Sequence, residues 1–534
     1  MSSVTHILMS GVERANRSQE LARRRASGSY DNAVALIVDA ACPDACPSRP
    51  SIGESMPLSN AEGAQHRQVA EALRFFGESY GHSARDAELW LRQALFVAEQ
   101  SGDTMLMAEI GASFVRKIGD IGARSGEALA SAEDLRSQFQ PDAHLQQAEL
   151  TFAQAMVHSR SGDAEAALRA FQETLELRTQ ALGPQHRLVA TTLLALAGSL
   201  RDLGVLDECD ELLQESESIL LDCGQLSEIA ALRSSQARSL LERDFPEAAL
   251  SRLFEARLLW VAEVGCESVE VATADNVIAE TLCELDRLAE ARLFAVSART
   301  TLERRLGGCD VALANCDVTR GVIELADGEF AEAEAALYRA LGLLEAHHMG
   351  EHPDLCRALH VLADACRGRG GSLDVAARLY RRAVEIHQRS QLPPHPLAAL
   401  NLSGLAEVAL LRGDTEEAIA LADQAEEQLR RLSVRAATAA RIRFTHAQAI
   451  IRRDRPRAEA LARQAATDLG RLGKRALSDQ AAVSGWLAAF LPLNGECDDT
   501  LAPVPMAPGS VAAASNDAAP APSKDPVKAT ASLR

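Results

Sequence analysis

The chain has 534 residues, a formal net charge of −20 and only 4% aromatic residues. That acidity opposes general binding to nucleic acid or to anionic membrane surfaces, and no run of roughly 18 apolar residues is present to span a bilayer. Alanine-rich and poor in aromatics, the composition suits helices packed through small side chains; a large sheet would need more Val, Ile, Tyr and Phe.

In chain order, residues 1–58 carry no repeat pattern and read as a poorly ordered segment. Arg23-Arg24-Arg25 followed by the apolar run Ala33–Cys42 is loosely like an export signal ending in a lipid-bearing cysteine. Asp31 and Asp39 break that pattern, and it starts too far from Met1. Cys42-Pro43-Asp44-Ala45-Cys46 has the spacing of half a metal site, but no second half accompanies it, and it reads as incidental cysteines. Residues 59–144 read as degenerate helical repeats, with Asp86–Leu95 as the second helix of one. Residues 145–475 hold the clear repeats. Residues 476–497, with Trp486 and Phe490, form a capping helix over the last of them. Residues 498–534, rich in Ala, Pro, Ser and Asp, read as a disordered tail.

The repeats are marked by a small residue in one recurring slot: Ala155, Ala197, Ala237, Ala279, Gly321, Ala363, Ala406 and Ala447, at spacings of 42, 40, 42, 42, 42, 43 and 41. The surroundings recur as well. Leu196-Ala197 leads to Gly204 and Glu208-Cys209, Ile278-Ala279 to Asp286 and Glu290-Ala291, and Leu405-Ala406 to Gly413 and Glu417-Ala418. Gly321 leads to Gly328, Glu332-Ala333 and Ala340, and Leu362-Ala363 to Gly370, Ala376 and Tyr380. Apolar residues three and four apart make each block two amphipathic helices, and Gly or Asp turns between them tolerate positive φ. The small residue and the following Ala lie where the helices cross; anything larger would push the axes beyond roughly 8–10 Å. The 43-residue spacing is accounted for by the extra glycine in Gly370-Gly371, placed in a turn.

This pattern resembles the tetratricopeptide repeat, at a period longer than its usual ~34 residues. The connectors Leu182-Gly183-Pro184-Gln185-His186, Met349-Gly350-Glu351-His352-Pro353 and Leu392-Pro393-Pro394-His395-Pro396 are similar to those of the kinesin-light-chain subtype. Glycine would end the second helix in a left-handed conformation and proline would open the next one. The resemblance covers about residues 145–470 and implies an all-α, right-handed superhelical α-solenoid of helix-turn-helix repeats. It implies protein binding without naming a partner. The asparagine pair that this subtype carries before Leu-Ala survives only as Asn276, so motor-cargo binding is not carried over. The Lys/Asn clamp of chaperone-binding members is likewise not evident.

Chemistry-bearing clusters are few. His347, His348, His352, Cys356 and His360 fall close together, and Cys356 and His360 share a helix face, as a chelate or a nucleophile–base pair would. His352 is already the connector histidine, and no third group orients a base. No phosphate loop, nucleophile elbow or His-Glu-x-x-His helix occurs, so we read no enzyme, metal or cofactor. The eleven cysteines lack a framework spacing, and Cys209 and Cys366 take small-residue slots, as in a reducing, cytoplasmic compartment.

The concave wall falls three or six positions before the small residue and one or four after it. Those slots give Arg201, Ser234, Arg238, Asn276, Glu280, Cys283, Asn315, Arg357, His360, Asp364, Arg367, Ser403 and Glu407. Arginines on the wall of an acidic chain point to a protein or peptide with an acidic segment. The expected function is a non-enzymatic scaffold or adaptor using this groove. Two alternatives stand beside it: a bacterial regulatory module sensing a peptide signal, and a metal-binding or enzyme-accessory protein using the His347–His360 cluster.

Overall fold

The computed structural model describes residues 63–490, apart from short stretches at 80–83, 121–123, 309, 349–351, 353–354, 370–372, 390–394 and 431–433, together with Val504. The readings made of residues 1–58, of Cys42–Cys46, of Gly370-Gly371 and of all but Val504 in 498–534 lie outside the described residues.

Every described element is helical. Four helices come first: α1 (Gly63–Ser79), α2 (Ala84–Ser101), α3 (Thr104–Gly119) and α4 (Ser125–Ser137). Eight hairpins follow: α5 (His144–Arg160) with α6 (Ala164–Leu182), α7 (Arg187–Asp202) with α8 (Leu206–Cys223), α9 (Leu226–Glu242) with α10 (Pro246–Val264), and α11 (Val269–Glu284) with α12 (Leu288–Leu306). Then come α13 (Val311–Ala326) with α14 (Phe330–His348), α15 (Leu355–Gly368) with α16 (Leu373–Arg389), α17 (Pro396–Arg412) with α18 (Thr415–Leu429), and α19 (Ala436–Ile450) with α20 (Arg455–Leu472). A 3-10 turn (Gly473–Ala476) leads to α21 (Leu477–Phe490). The period is long because second helices such as α12 and α14 run to 19 residues.

All eight small residues sit on the first helix of a hairpin, and all are buried. Opposite them on the second helices lie Ala167, Cys209, Ala249, Ala291, Ala333, Ala376, Ala418 and Ala458, also buried. Gly321 shows why the slot stays small. A Cβ there would stand 2.6 Å from Cγ of Leu337, which is itself fully buried and has no room to yield. The fold is therefore an all-α solenoid of helix-turn-helix repeats.

Within the hairpins, Gly162, Gly204, Asp244, Asp286, Gly328 and Gly413 turn the chain at positive φ. The connectors depart from expectation in two ways. Gly183 and Gly307 have positive φ but ψ of 160° and 176°, so they do not continue into a left-handed turn; the extended ψ swings the chain away toward the next hairpin. Pro396 opens α17 as expected, whereas Pro184 stays in the connector ahead of α7. The connector histidine caps the helix instead: His186 Nδ1 accepts from Leu188 N–H at 3.2 Å, and His395 Nδ1 from Leu397 N–H at 3.1 Å.

The described helices gather into two compact units, residues 63–199 with Gln214–Glu228 and Ala262–Gly265, and Leu200–Leu213 with Ile229–Val261 and residues 266–490. In the first, α1 pairs with α2, α3 packs on α2 and α5, and α5 pairs with α6. Its buried guanidinium, Arg178, lies over the Phe152 ring and donates to Thr192 and Glu149. In the second, consecutive hairpins from α11 to α20 stack in order, and α21 packs on α20. Trp486 of α21 meets Phe444 of α19 edge-on at 5.6 Å. Among the described residues no helix is long and apolar enough to cross a membrane.

Candidate functional site

The inner-wall slots of the second unit separate into two environments. Arg201, Arg238, Asn276, Glu280, Asn315 and Arg357 line one cleft of about 310 Å³, together with Glu242, Glu284, Val277 and Cys316. His360, Asp364, Arg367 and Glu407 are instead buried in a charged cluster.

The cleft is built by α7, α9, α11, α13 and α15, with Leu302 of α12 at its edge. Its charge is balanced, three arginines against three glutamates. Arg357 Nη2 donates to Glu280 Oε1 at 2.8 Å, and Thr319 Oγ1 donates to the same oxygen at 2.7 Å. Arg201 Nη2 donates to Asp202 Oδ1 at 2.8 Å. Asn276, 9% exposed, keeps its Oδ1 without a hydrogen-bond partner. A buried amide oxygen in that state is costly unless something entering the cleft donates to it. Burial pushes the Cys316 thiol up to about 12, so it remains protonated and inert.

The charged cluster centres on Arg441 of α19. Its Nη1 and Nη2 donate to the two oxygens of Asp364 at 2.9 and 2.8 Å, and its Nε donates to Glu407 Oε1 at 3.2 Å. Arg367 Nη1 pairs with Glu407 Oε2 at 2.9 Å, Thr445 donates to Glu407 Oε1 at 3.0 Å, and the Tyr380 hydroxyl donates to Asp364. Two guanidinium and two carboxylate groups balance. Burial works to raise the Asp364 carboxyl, but Arg441 and its neighbours override this and hold it far below the usual range. Tyr380 reaches Asp364 past Gly404, where a Cβ would stand 2.5 Å from the ring.

The two environments share one construction. Arg357 stands six before its small residue and Glu280 one after its own; Arg441 and Asp364 repeat that relationship. Both pairs are 77 residues apart, so each arginine reaches back across an intervening inner helix. Arg441 and Gln448 were legible from the slot rule applied to Ala447, but the sequence reading ended at Glu407. Tyr380, on a second helix, gave no such signal.

Cys356 and His360 share a helix face without sharing a partner. Cys356 Sγ contacts the Ala383 carbonyl at 3.5 Å, and His360 Nδ1 faces Asn401 Oδ1 at 3.1 Å. Among the described residues no three metal-ligating side chains converge.

A family model described as tetratricopeptide repeat matches residues 146–222, 310–389 and 369–431. The chain carries tetratricopeptide repeats over these residues. The solved structures it is similar to include a Rap protein complexed with competence and sporulation factor, 12% identical over 77% of this chain and 99% of that one, TM-score 0.46. Another is aspartyl phosphate phosphatase F from Bacillus subtilis, 14% identical over 69% and 94%, TM-score 0.42. A third is a signal-transduction ATPase with a tetratricopeptide repeat sensor from Pyrococcus horikoshii, 13% identical over 70% and 53%, TM-score 0.46. No curated protein matches the chain.

Proposed function

We propose that this tetratricopeptide-repeat chain is a protein-binding scaffold that takes one extended polypeptide segment of a partner into the cleft between Arg201 and Arg357. The observation that carries the reading is Asn276, an amide nine-tenths buried in the cleft wall with an unused acceptor. A side-chain amide presents a donor and an acceptor side by side, as does a peptide main chain, and Asn315 supplies a second amide on the neighbouring helix. Rigid helices hold these groups in place before the ligand arrives, so little ordering entropy is lost on binding. Arg201 and Arg238 favour a carboxylate on the segment. Because Glu242, Glu280 and Glu284 line the same cleft, a segment carrying both charges suits it better than an unbroken acidic run.

The test is selection of short random peptides on the full chain, followed by titration of the selected peptides into wild type and into a variant with Asn276→Leu and Asn315→Leu. Loss of binding by tenfold or more supports the cleft. Equal binding by a variant that melts like wild type removes it.

A further inference from the structure

Gln448 lies on α19 one residue past Ala447, in the wall slot that earlier repeats give to Arg238, Glu280, Asp364 and Glu407. Its amide closes a two-bond ring with one distant residue. Gln448 Nε2 donates to the Val504 carbonyl at 2.9 Å, and Gln448 Oε1 accepts from the Val504 N–H at 2.8 Å. The Val504 side chain packs against the apolar cluster that holds Phe444, Ala447, Ile451 and Trp486. So this wall position, 9% exposed, holds a main chain 56 residues further on by both of its polar groups and holds its side chain by apolar contact.

Both bonds go to backbone atoms, so they read the presence of a peptide group and not the identity of the residue. Selection falls to the apolar floor, which takes a branched aliphatic side chain. The sequence of the bound segment fits that demand. Pro503 and Pro505 flank Val504, leaving its N–H as the only main-chain donor of the three residues. Proline fixes its own φ and biases the residue before it toward extended backbone. Such a segment loses little freedom on docking.

We propose that the wall at Gln448 is a peptide-reading site in its own right, and that Val504 fills it as a tethered stand-in for one branched aliphatic residue of an extended partner segment. The tether sets a local concentration on the order of millimolar. An incoming segment is therefore excluded until its own affinity, or its own attachment to a larger partner, overcomes that advantage. This site is independent of the cleft between Arg201 and Arg357 and stands whether or not that cleft binds.

The probe is a labelled synthetic peptide of residues 500–508, titrated by fluorescence anisotropy into the full chain. Val504→Asp in the chain ejects the stand-in by placing a charge on the apolar floor. The Val504→Asp protein is expected to bind the peptide at least tenfold more tightly than wild type does, and adding Gln448→Ala is expected to abolish that binding. Gln448→Glu, which keeps the shape but has no amide to donate to the carbonyl, replaces Gln448→Ala should the latter melt early. Amide exchange at Val504 is expected to be slow in the wild type and to accelerate in Gln448→Ala. Three outcomes overturn the proposal: no binding by Val504→Asp, equal binding by Val504→Asp and wild type, or undiminished binding once Gln448 is changed.

Discussion

Arg435 forks onto Glu284, 151 residues earlier in the chain, with Nη1 and Nη2 donating to its two carboxylate oxygens at 3.0 and 2.6 Å. The same guanidinium donates through Nε to Asp244 at 3.2 Å, and the other Asp244 oxygen accepts the Ala436 N–H at 3.0 Å. Asp244, a turn residue between α9 and α10, thereby caps α19 from outside its own hairpin. The second unit is latched upon itself at this point.

The latch is a three-way charge contact, so its members are coupled. Arg435→Ala should lower the stability of the second unit by about 2–4 kcal/mol, since it strands two shielded carboxylates. Asp244→Ala should cost much less in the Arg435→Ala background than in wild type. Thermal melts of the two single variants and the double variant measure this; strictly additive losses would show that the latch carries no coupling.

The Arg441 cluster should respond to charge balance and not to charge alone. Arg441→Met leaves Asp364 and Glu407 facing a single remaining arginine and should cost about 3–5 kcal/mol. Arg441→Met together with Asp364→Leu leaves Arg367 and Glu407 as a neutral pair and should recover a large part of that loss. Urea melts of the three proteins decide it; a double variant less stable than Arg441→Met would refute the balance argument.

Acid should weaken the fold in two steps. Burial pushes the His360 imidazole below its ordinary value, and Arg441 adds to this against the pull of Asp364. The unfolded chain, titrating near 6.5, takes up that proton first. Stability from His360 is thus complete above about pH 6.5 and declines as pH falls below it. Asp364 and Glu407, both held low despite their burial, lose their contribution only below about pH 4. His360→Asn should flatten the upper step in a melting series from about pH 8 to 5. A remainder is expected, because burial lowers His158 and His446 in the same direction.

Two glycines should respond oppositely to the same substitution. Gly321→Ala drives a methyl into Leu337 and should cost about 1–3 kcal/mol, even though alanine favours helix by roughly 1 kcal/mol. Gly342, on the exposed face of α14, has nothing within 4 Å of an added Cβ, so Gly342→Ala should stabilise by about 0.5–1 kcal/mol. Melting temperatures that move in the same direction would contradict the packing account.

The eight hairpins were legible because one small residue per period is a local necessity of helix crossing, written at Ala155 as at Ala447. Six of the residues in the slots read as wall positions line one cleft. What the period could not reveal is how sharply the stack curves. Only that curvature brings Arg357 onto Glu280 and Arg441 onto Asp364 across an intervening helix, and brings Arg435 to Glu284. Slot arithmetic gives the direction each side chain faces, whereas its partner depends on the accumulated rotation of several hairpins.

The Arg441 cluster also bounds the proposed cleft on one side. From α7 to α15 the wall of the cleft crosses four helix-to-helix steps of roughly 8–10 Å, roughly 32–40 Å in all, which about ten to twelve extended residues at about 3.3 Å each would cover. Beyond α15 the trough floor is occupied by the protein's own guanidinium and carboxylate groups. A segment taken up by the proposed cleft would therefore meet buried charges already paired within the protein where it passes α15.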